Sequence, residues 1–327
     1  MPTVNSILVT GVAGYIGSVL VRQLLDKGYK VIGLDRLMYG GESLLGVYNY
    51  PNFEFIKGDI RKKEDLIKVV DKIDAVVHLA AIVGDPACTK QPEVARNTNW
   101  DGSKLLFDLC EKRENIENFI FASTCSTYGK MDGNTCVNED SPLNPVSLYA
   151  ELKVKFEKYL LKSNTRKDFT PTALRFSTVY GISPRMRFDL TVNEFVRELA
   201  FNRKLLIYGE QFWRSYCHVE DIARACFLVL ESEPNKVNHE AFGVGDTKEN
   251  YQKKMIVDEL LKTYPEGEIK YVQKDEDPRG YRVDFSKIKD VLGYSITKRV
   301  SDGIKELSKI LSNGLLPDPF NKKYKNI

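Results

Sequence analysis

Ile7-Leu8-Val9-Thr10-Gly11-Val12-Ala13-Gly14-Tyr15-Ile16-Gly17 begins as an apolar run and breaks into three glycines spaced three apart, after which Ser18 to Lys27 follows an amphipathic helical pattern. The pattern predicts a buried parallel strand, a tight turn and a helix start. Gly11 suits a turn whose backbone angles are closed to residues with a Cβ. Gly14 leaves room for a pyrophosphate to approach the main chain, and Gly17 lets the helix sit close on the strand. The unpaired N–H groups and partial positive charge at the helix start suit phosphates. Gly11, Gly14, Tyr15, Ile16 and Gly17 are therefore the candidate dinucleotide-binding turn. The spacing is G-x-x-G-x-x-G rather than G-x-G-x-x-G, so this stretch alone also reads as a plain strand-to-helix turn.

The 327 residues suit one large α/β unit or two domains. A net charge of +3 argues for neither nucleic acid nor a membrane surface as partner. With no apolar run of about 18 residues and no signal peptide, a cytoplasmic protein is expected. The six cysteines lack C-x-x-C spacing and read as reduced, partly buried thiols, so no metal site is expected. The basic Lys322-Lys323-Tyr324-Lys325-Asn326-Ile327 reads as a solvated, frayed tail.

Further apolar runs lie at Lys30–Leu34, Phe53–Ile56, Ala75–Ala80, Phe119–Ala122 and Thr172–Phe176, with helical patterns at Leu66–Asp71, Pro92–Arg113 and Val146–Ser163 between them. This βαβ repetition predicts a doubly wound parallel sheet, the α/β Rossmann class. After Gly181 the pattern weakens: a Pro/Arg-rich loop, a helix from about Leu190 to Phe201, another over His218–Glu231 and a short strand at Phe242–Val244. Residues 1–180 plus about 216–246 are expected to form the cofactor domain. Residues 181–215 plus 247–327 are expected to form a smaller α/β substrate domain.

Asp35 ends the second run, 18 residues after Gly17, where a carboxylate can accept both adenosine-ribose hydroxyls and repel a 2′-phosphate. That favours NAD over NADP, although Arg36 beside it could accommodate a phosphate. Asp59 and Ile60 end the third run, where the Asp could meet the adenine edge or simply make an Asx turn. Tyr149-Ala150-Glu151-Leu152-Lys153 places a phenol and an ammonium on one helix face. The ammonium and an oxidised nicotinamide ring would both favour phenolate and lower a phenol pKa of ordinarily about 10. Thr124, after a predicted strand, adds a hydroxyl able to position a substrate oxygen for proton transfer.

Taken together and in order, these motifs resemble the extended short-chain dehydrogenase/reductases, specifically the nucleoside-diphosphate-sugar epimerase/dehydratase family. The resemblance also covers His78-Leu79-Ala80-Ala81, Asn99, Leu174-Arg175-Phe176 with Val179-Tyr180-Gly181, and Arg214 with His218-Val219-Glu220-Asp221. It implies NAD as cofactor and a nucleoside-diphosphate sugar as substrate. Tyr149 becomes the acid/base, Lys153 holds the nicotinamide ribose, and Thr124 binds the reacting sugar hydroxyl. Leu79, Ala80, Ala81 and Asn99 fall on the cofactor side. Ser126, Arg187, Asn193, Arg214 and Arg279 fall on the substrate side, with Arg214 and Arg279 as diphosphate ligands. Arg185 or Arg187 could reach a phosphate or a neighbouring carboxylate. A homodimer through the helical patterns at Pro92–Arg113 and Val146–Ser163 is also implied, although Leu105, Leu106 and Leu109 would equally suit packing on the sheet.

Three departures narrow the reading. The family's dehydratases place Asp-Glu after the catalytic Thr, where this chain has Cys125 and Ser126. Members that epimerise C3 and C5 place a Cys at the position of Ser126, so Cys125 is one residue off and reads as a buried hydrophobe. Thr178 and Ser215 stand where related 4-epimerases often carry Asn and Asp. The expectation is therefore a 4-epimerase working through a 4-keto sugar. A C4 dehydrogenase releasing NADH, acting for example on a GDP-heptose or deoxysugar, is the alternative, and 4,6-dehydration is disfavoured. A catalytically silent dinucleotide-sensing scaffold is the non-enzyme alternative, against which the intact Tyr149 and Lys153 stand.

Overall fold

The computed structural model describes residues 4–131, 136–273 and 280–326. Seven strands form one all-parallel sheet: β1 (Ser6–Thr10), β2 (Lys30–Asp35), β3 (Phe53–Lys57), β4 (Ala75–His78), β5 (Asn118–Thr124), β6 (Thr170–Phe176) and β7 (Glu240–Val244). Their spatial order is β7-β6-β5-β4-β1-β2-β3. The order reverses between β1 and β4, and at such a switch point the carboxyl ends of the strands open a crevice for ligands. Every apolar run singled out above overlaps one of these strands.

Helices α1 (Gly17–Asp26), α2 (Lys63–Val70), α3 (Ser103–Glu111), α4 (Leu148–Lys162), α5 (Thr191–Ala200) and α6 (Val219–Leu230) follow in chain order. On one face of the sheet Leu20 and Leu24 of α1 join Ile222 and Cys226 of α6 over Val9, Ile120 and Leu174. On the other face Leu66, Phe107 and Phe156 from α2, α3 and α4 cover Leu8, Phe119 and Phe121. A further core of Tyr180, Phe188, Val192, Val196, Leu205, Ile256, Val257 and Leu307 lies beyond the sheet's carboxyl edge. No helix among the described residues is long and apolar enough to cross a membrane.

The helical pattern at Pro92–Arg113 is not one helix. It forms Pro92–Arg96, a π-helical turn over Asn97–Gly102, and then α3. The wide turn lets Asn99 clasp the preceding loop: its Oδ1 accepts from the Ile82 N–H at 2.8 Å and its Nδ2 donates to the Ile82 carbonyl at 2.9 Å. Leu106 packs fully on the sheet, while Leu105 and Leu109 are half-buried beside it.

Lys322, Lys323 and Lys325 are exposed, but the C-terminal stretch is tied down rather than frayed. Lys322–Tyr324 form a 3-10 turn, the Phe188 N–H donates to the Tyr324 carbonyl at 2.8 Å, and the two rings lie 5.7 Å apart edge to face. The charge count there hid one aromatic ring with apolar surface to bury.

Candidate active site

A cleft of about 480 Å³ runs along the carboxyl ends of the strands. At one end the turn after β1 supplies Gly11, Gly14, Tyr15, Ile16 and Gly17. Gly11 has φ +73°, and a Cβ there would sit 2.9 Å from the Ala80 nitrogen, so β1 and the loop after β4 touch through it. A Cβ on Gly17 would lie 2.2 Å from the Gly11 carbonyl oxygen; the helix sits on the strand as the spacing implies. A Cβ on Gly14 would lie 3.1 Å from that same oxygen, so this glycine is tight against its own turn. The cradle fits a dinucleotide's pyrophosphate: the main chain comes to the surface of the cleft at a helix start.

Asp35, Ile60, Leu79, Ala80 and Ala81 line the same end. Asp35 accepts from the N–H groups of Leu37 at 2.8 Å and Ala13 at 3.1 Å. Burial nevertheless raises its pKa above the usual carboxylate value. Asp59 is a correction. Burial opposes its ionised form, but a fork from Arg61, closest at 2.7 Å, and Arg36 at 3.2 Å outweigh that and hold its pKa low. Its carboxylate is thus occupied by guanidinium groups and does not line the cleft, whereas its neighbours Gly58 and Ile60 do. Asn99 does not line it either; it positions the loop at Ile82 from behind. His78 is an internal latch, 2.7 Å from Thr10 Oγ1 and 2.8 Å from Ser103 Oγ. Burial first, and then the Lys153 charge, push its pKa down to about 3, so it is neutral.

Thr124, Tyr149 and Lys153 converge in the middle of the cleft. Thr124 ends β5 and caps the 3-10 turn at Cys125–Tyr128: its Oγ1 accepts from the Ser126 N–H at 3.2 Å, leaving its own proton to donate. Ser147 caps α4 by accepting from the Ala150 N–H at 3.3 Å, which sets where Tyr149 begins the helix. Lys153 is buried, donates to the Ala122 carbonyl at 2.6 Å, and lies 5.8 Å from the Tyr149 ring centre. Burial pushes its pKa down to about 8. The expected lowering of the phenol pKa needs Lys153 and an oxidised nicotinamide ring together; the protein's own groups act mainly the other way. Burial dominates and raises Tyr149, followed by Cys88 and Asp85, with Arg187 pulling the other way.

Two site residues escaped the motifs. Asp85, which begins the short helix Asp85–Lys90 after β4, lines the cleft and accepts from Ser147 Oγ at 2.6 Å, tying that helix to the start of α4. Glu157, one turn beyond Lys153, is fully buried; it accepts from Ser123 Oγ at 2.5 Å and from Arg175 Nη2 at 2.7 Å. A carboxylate four residues after Lys153 lies on the same buried face, and that spacing was the available signal.

Ser126, Thr178, Arg187, Arg214 and Tyr281 line the far end. Arg187 forms a fork on Asp189 at 2.9 and 2.7 Å, which meets the neighbouring-carboxylate reading. Arg214 donates to the Trp213 carbonyl at 2.7 Å and lies 5.3 Å over the Tyr281 ring. Asn193 is a second correction. It is completely buried, its Oδ1 accepts from the Gly181 N–H at 3.0 Å, and its Nδ2 donates to Tyr15 Oη and the Arg187 carbonyl. It is a structural hub with no face on the cleft. Arg279 lies outside the described residues. Cys125 is fully buried, its thiol donating to the Arg175 carbonyl and pushed up to about 12 by burial, so it cannot serve as an acid near neutrality.

A parallel sheet with a dinucleotide cradle at its switch point and a Thr/Tyr/Lys set beside it defines an enzyme of the extended short-chain dehydrogenase/reductase type. Residues 7–245 match the NAD dependent epimerase/dehydratase family, and the chain belongs to it. It is 30% identical over 308 residues to a UDP-glucose 4-epimerase of Lactobacillus helveticus, covering 88% of this chain and 91% of that one. Its structure is similar to the UDP-glucuronic acid 4-epimerase of Bacillus cereus in complex with UDP-glucuronic acid and NAD, with TM-score 0.81 and 28% identity over 94% of this chain and 99% of that one. It is also similar to the dTDP-glucose 4,6-dehydratase DesIV of Streptomyces venezuelae with NAD bound, with TM-score 0.83 and 27% identity over 94% and 98%. NAD is the cofactor of this family.

Proposed function

We propose that this chain is a nucleoside-diphosphate-sugar 4-epimerase. The observation that carries the reading is the convergence of Thr124, Tyr149 and Lys153 in one cleft, with Cys125 and Ser126 rather than carboxyl groups after Thr124. Loss of water across C5–C6 needs an acid and a base at those two positions, and a buried thiol of pKa about 12 and a serine supply neither.

NAD, when bound, would supply a two-electron acceptor and donor at C4; epimerisation requires that hydride leave one face of the sugar and return to the other. The rest falls to the chain. Thr124 and Ser126 hold the sugar's oxygens. Tyr149 Oη receives the C4 hydroxyl proton during oxidation and gives it back to the 4-keto oxygen during reduction, so no proton is lost over the cycle. Lys153 and Arg187 are the cations that favour the phenolate against burial. Arg214 holds the diphosphate, which the planar guanidinium matches in pairs. In this reading the sheet half binds NAD, residues 181–215 and 247–327 bind the nucleotide sugar, and two copies dimerise through α3 and α4. Light scattering at twice the chain mass tests the last point.

The deciding experiment incubates the enzyme with UDP-, GDP-, CDP- and dTDP-sugars and follows products by NMR. The expected result is a C4 epimer with no net NADH; the named relatives make UDP-glucose and UDP-glucuronic acid the first to try. Accumulation of a 4-keto sugar with stoichiometric NADH would instead establish the C4 dehydrogenase, and a 4-keto-6-deoxy product would overturn the argument from residues 125 and 126.

A further inference from the structure

We propose that Arg185 is a ligand of the cofactor's pyrophosphate, reaching it from the sugar-binding side of the cleft. The loop that carries Arg185 is fastened to the cofactor turn. Ser183 Oγ donates to the Tyr15 carbonyl at 2.7 Å and lies 3.1 Å from Ser18 Oγ, and Tyr15 Oη donates to the Gly181 carbonyl at 2.5 Å. The Arg185 N–H in turn donates to Ser183 Oγ at 3.2 Å. These bonds hold the segment after β6 against the turn after β1 and the first turn of α1.

The side chain then runs along the cofactor end of the cleft. Its guanidinium carbon lies 4.4 Å over the ring of Tyr39, which follows β2. Arg185 is only 7% exposed and shares the cleft wall with Gly14, Tyr15, Met38 and Tyr39. Nη2 donates to the Lys325 carbonyl at 3.3 Å. Nη1 is buried and has no hydrogen-bond partner among the described residues. Asp189, the carboxylate of the same loop, is occupied by the fork from Arg187 and by the Asn326 N–H at 3.1 Å.

An ionised donor sealed from water without an acceptor is costly to hold. In a cleft lined at this end by a phosphate-binding turn, a diphosphate oxygen is the acceptor that removes the cost. On the proposed function two diphosphates enter this cleft, the cofactor's and the sugar nucleotide's. The attachment to Tyr15 and Ser18 and the stacking on Tyr39 assign Arg185 to the first. A loop that also carries Arg187 would then contribute to keeping NAD in place through the turnover of the sugar.

Calorimetric titration of the protein freed of cofactor tests this with NAD, ADP-ribose, adenosine and UDP-glucose. Arg185→Gln is expected to weaken NAD and ADP-ribose by the same factor, between about tenfold and hundredfold, as for loss of a charged hydrogen bond. Adenosine and UDP-glucose should bind as before. Unchanged NAD affinity overturns the proposal, as does weakened UDP-glucose binding with NAD unaffected, which would assign the guanidinium to the substrate. Equal weakening of adenosine also overturns it, since that marks a general loss of the cradle. Arg185→Lys keeps the charge but loses the fork. It should bind NAD with an affinity between the other two forms, and it carries the test alone should the glutamine variant not fold: wild-type NAD affinity in the lysine variant would then overturn the proposal.

Discussion

Replacing Tyr149 by phenylalanine is expected to lower turnover by about 10²–10⁴-fold while NAD remains bound. The substitution removes one oxygen and leaves a ring of the same shape in the cleft wall, so the cradle at Gly11–Gly17, Asp35 and the Lys153 bond to the Ala122 carbonyl stay as they are. Its neighbours on β5 and α4 are poor substitutes for it. Thr124 is an alcohol, the Lys153 amine is held by a main-chain carbonyl, and Cys125 is buried with its thiol turned to the Arg175 carbonyl. The measurement is paired: epimer formation by NMR, and bound nicotinamide by absorbance after gel filtration. Loss of activity together with loss of NAD would mean the phenol is structural. Retained activity with retained NAD would remove Tyr149 from the chemistry and favour the scaffold reading.

Arg175→Met is expected to destabilise the protein by about 3–5 kcal/mol, a drop in Tm on the order of 10 °C for a chain of this size. Arg175 and Glu157 are 5% and 1% exposed and pair at 2.7 Å. Removing the guanidinium leaves a buried carboxylate with Ser123 Oγ as its remaining side-chain donor. The consequence is also functional, because Glu157 joins the end of β5 to α4 and so holds Thr124 in register with Tyr149 and Lys153. Arg175→Met combined with Glu157→Leu should recover part of the lost stability, since an apolar pair of similar volume replaces both charges. Thermal unfolding of the single and double variants without ligand tests this; no recovery in the double variant would show that the damage lies in packing rather than in the stranded charge.

The parts of the molecule that could be read from the sequence are those whose cause is local. The parallel sheet follows from apolar runs alternating with helical period, and the β1 turn from glycine spacing. The shared face of Tyr149 and Lys153 follows from a four-residue interval on a helix. What escaped depends on groups distant in the chain. Asn193 looks like any polar residue at a helix start until folding brings Tyr15 and Gly181 to it. Spacing leaves Asp59 either an adenine edge or an Asx turn; folding gives its carboxylate the Arg61 N–H and two guanidinium partners. Burial, the dominant cause acting on the phenol pKa, is a property of the packed cleft and not of the Y-x-x-x-K pair.

The π-helical turn at Asn97–Gly102 has a bearing on how relatives should be compared with this chain. Successive residues of a helix point about 100° apart, so a single extra residue decides which one faces inward. A relative with an uninterrupted helix here would have to present its amide to the loop after β4 from a neighbouring position. Alignments made by eye would then pair Asn99 with a residue that does a different job, and gaps placed in this segment deserve to be drawn from backbone geometry.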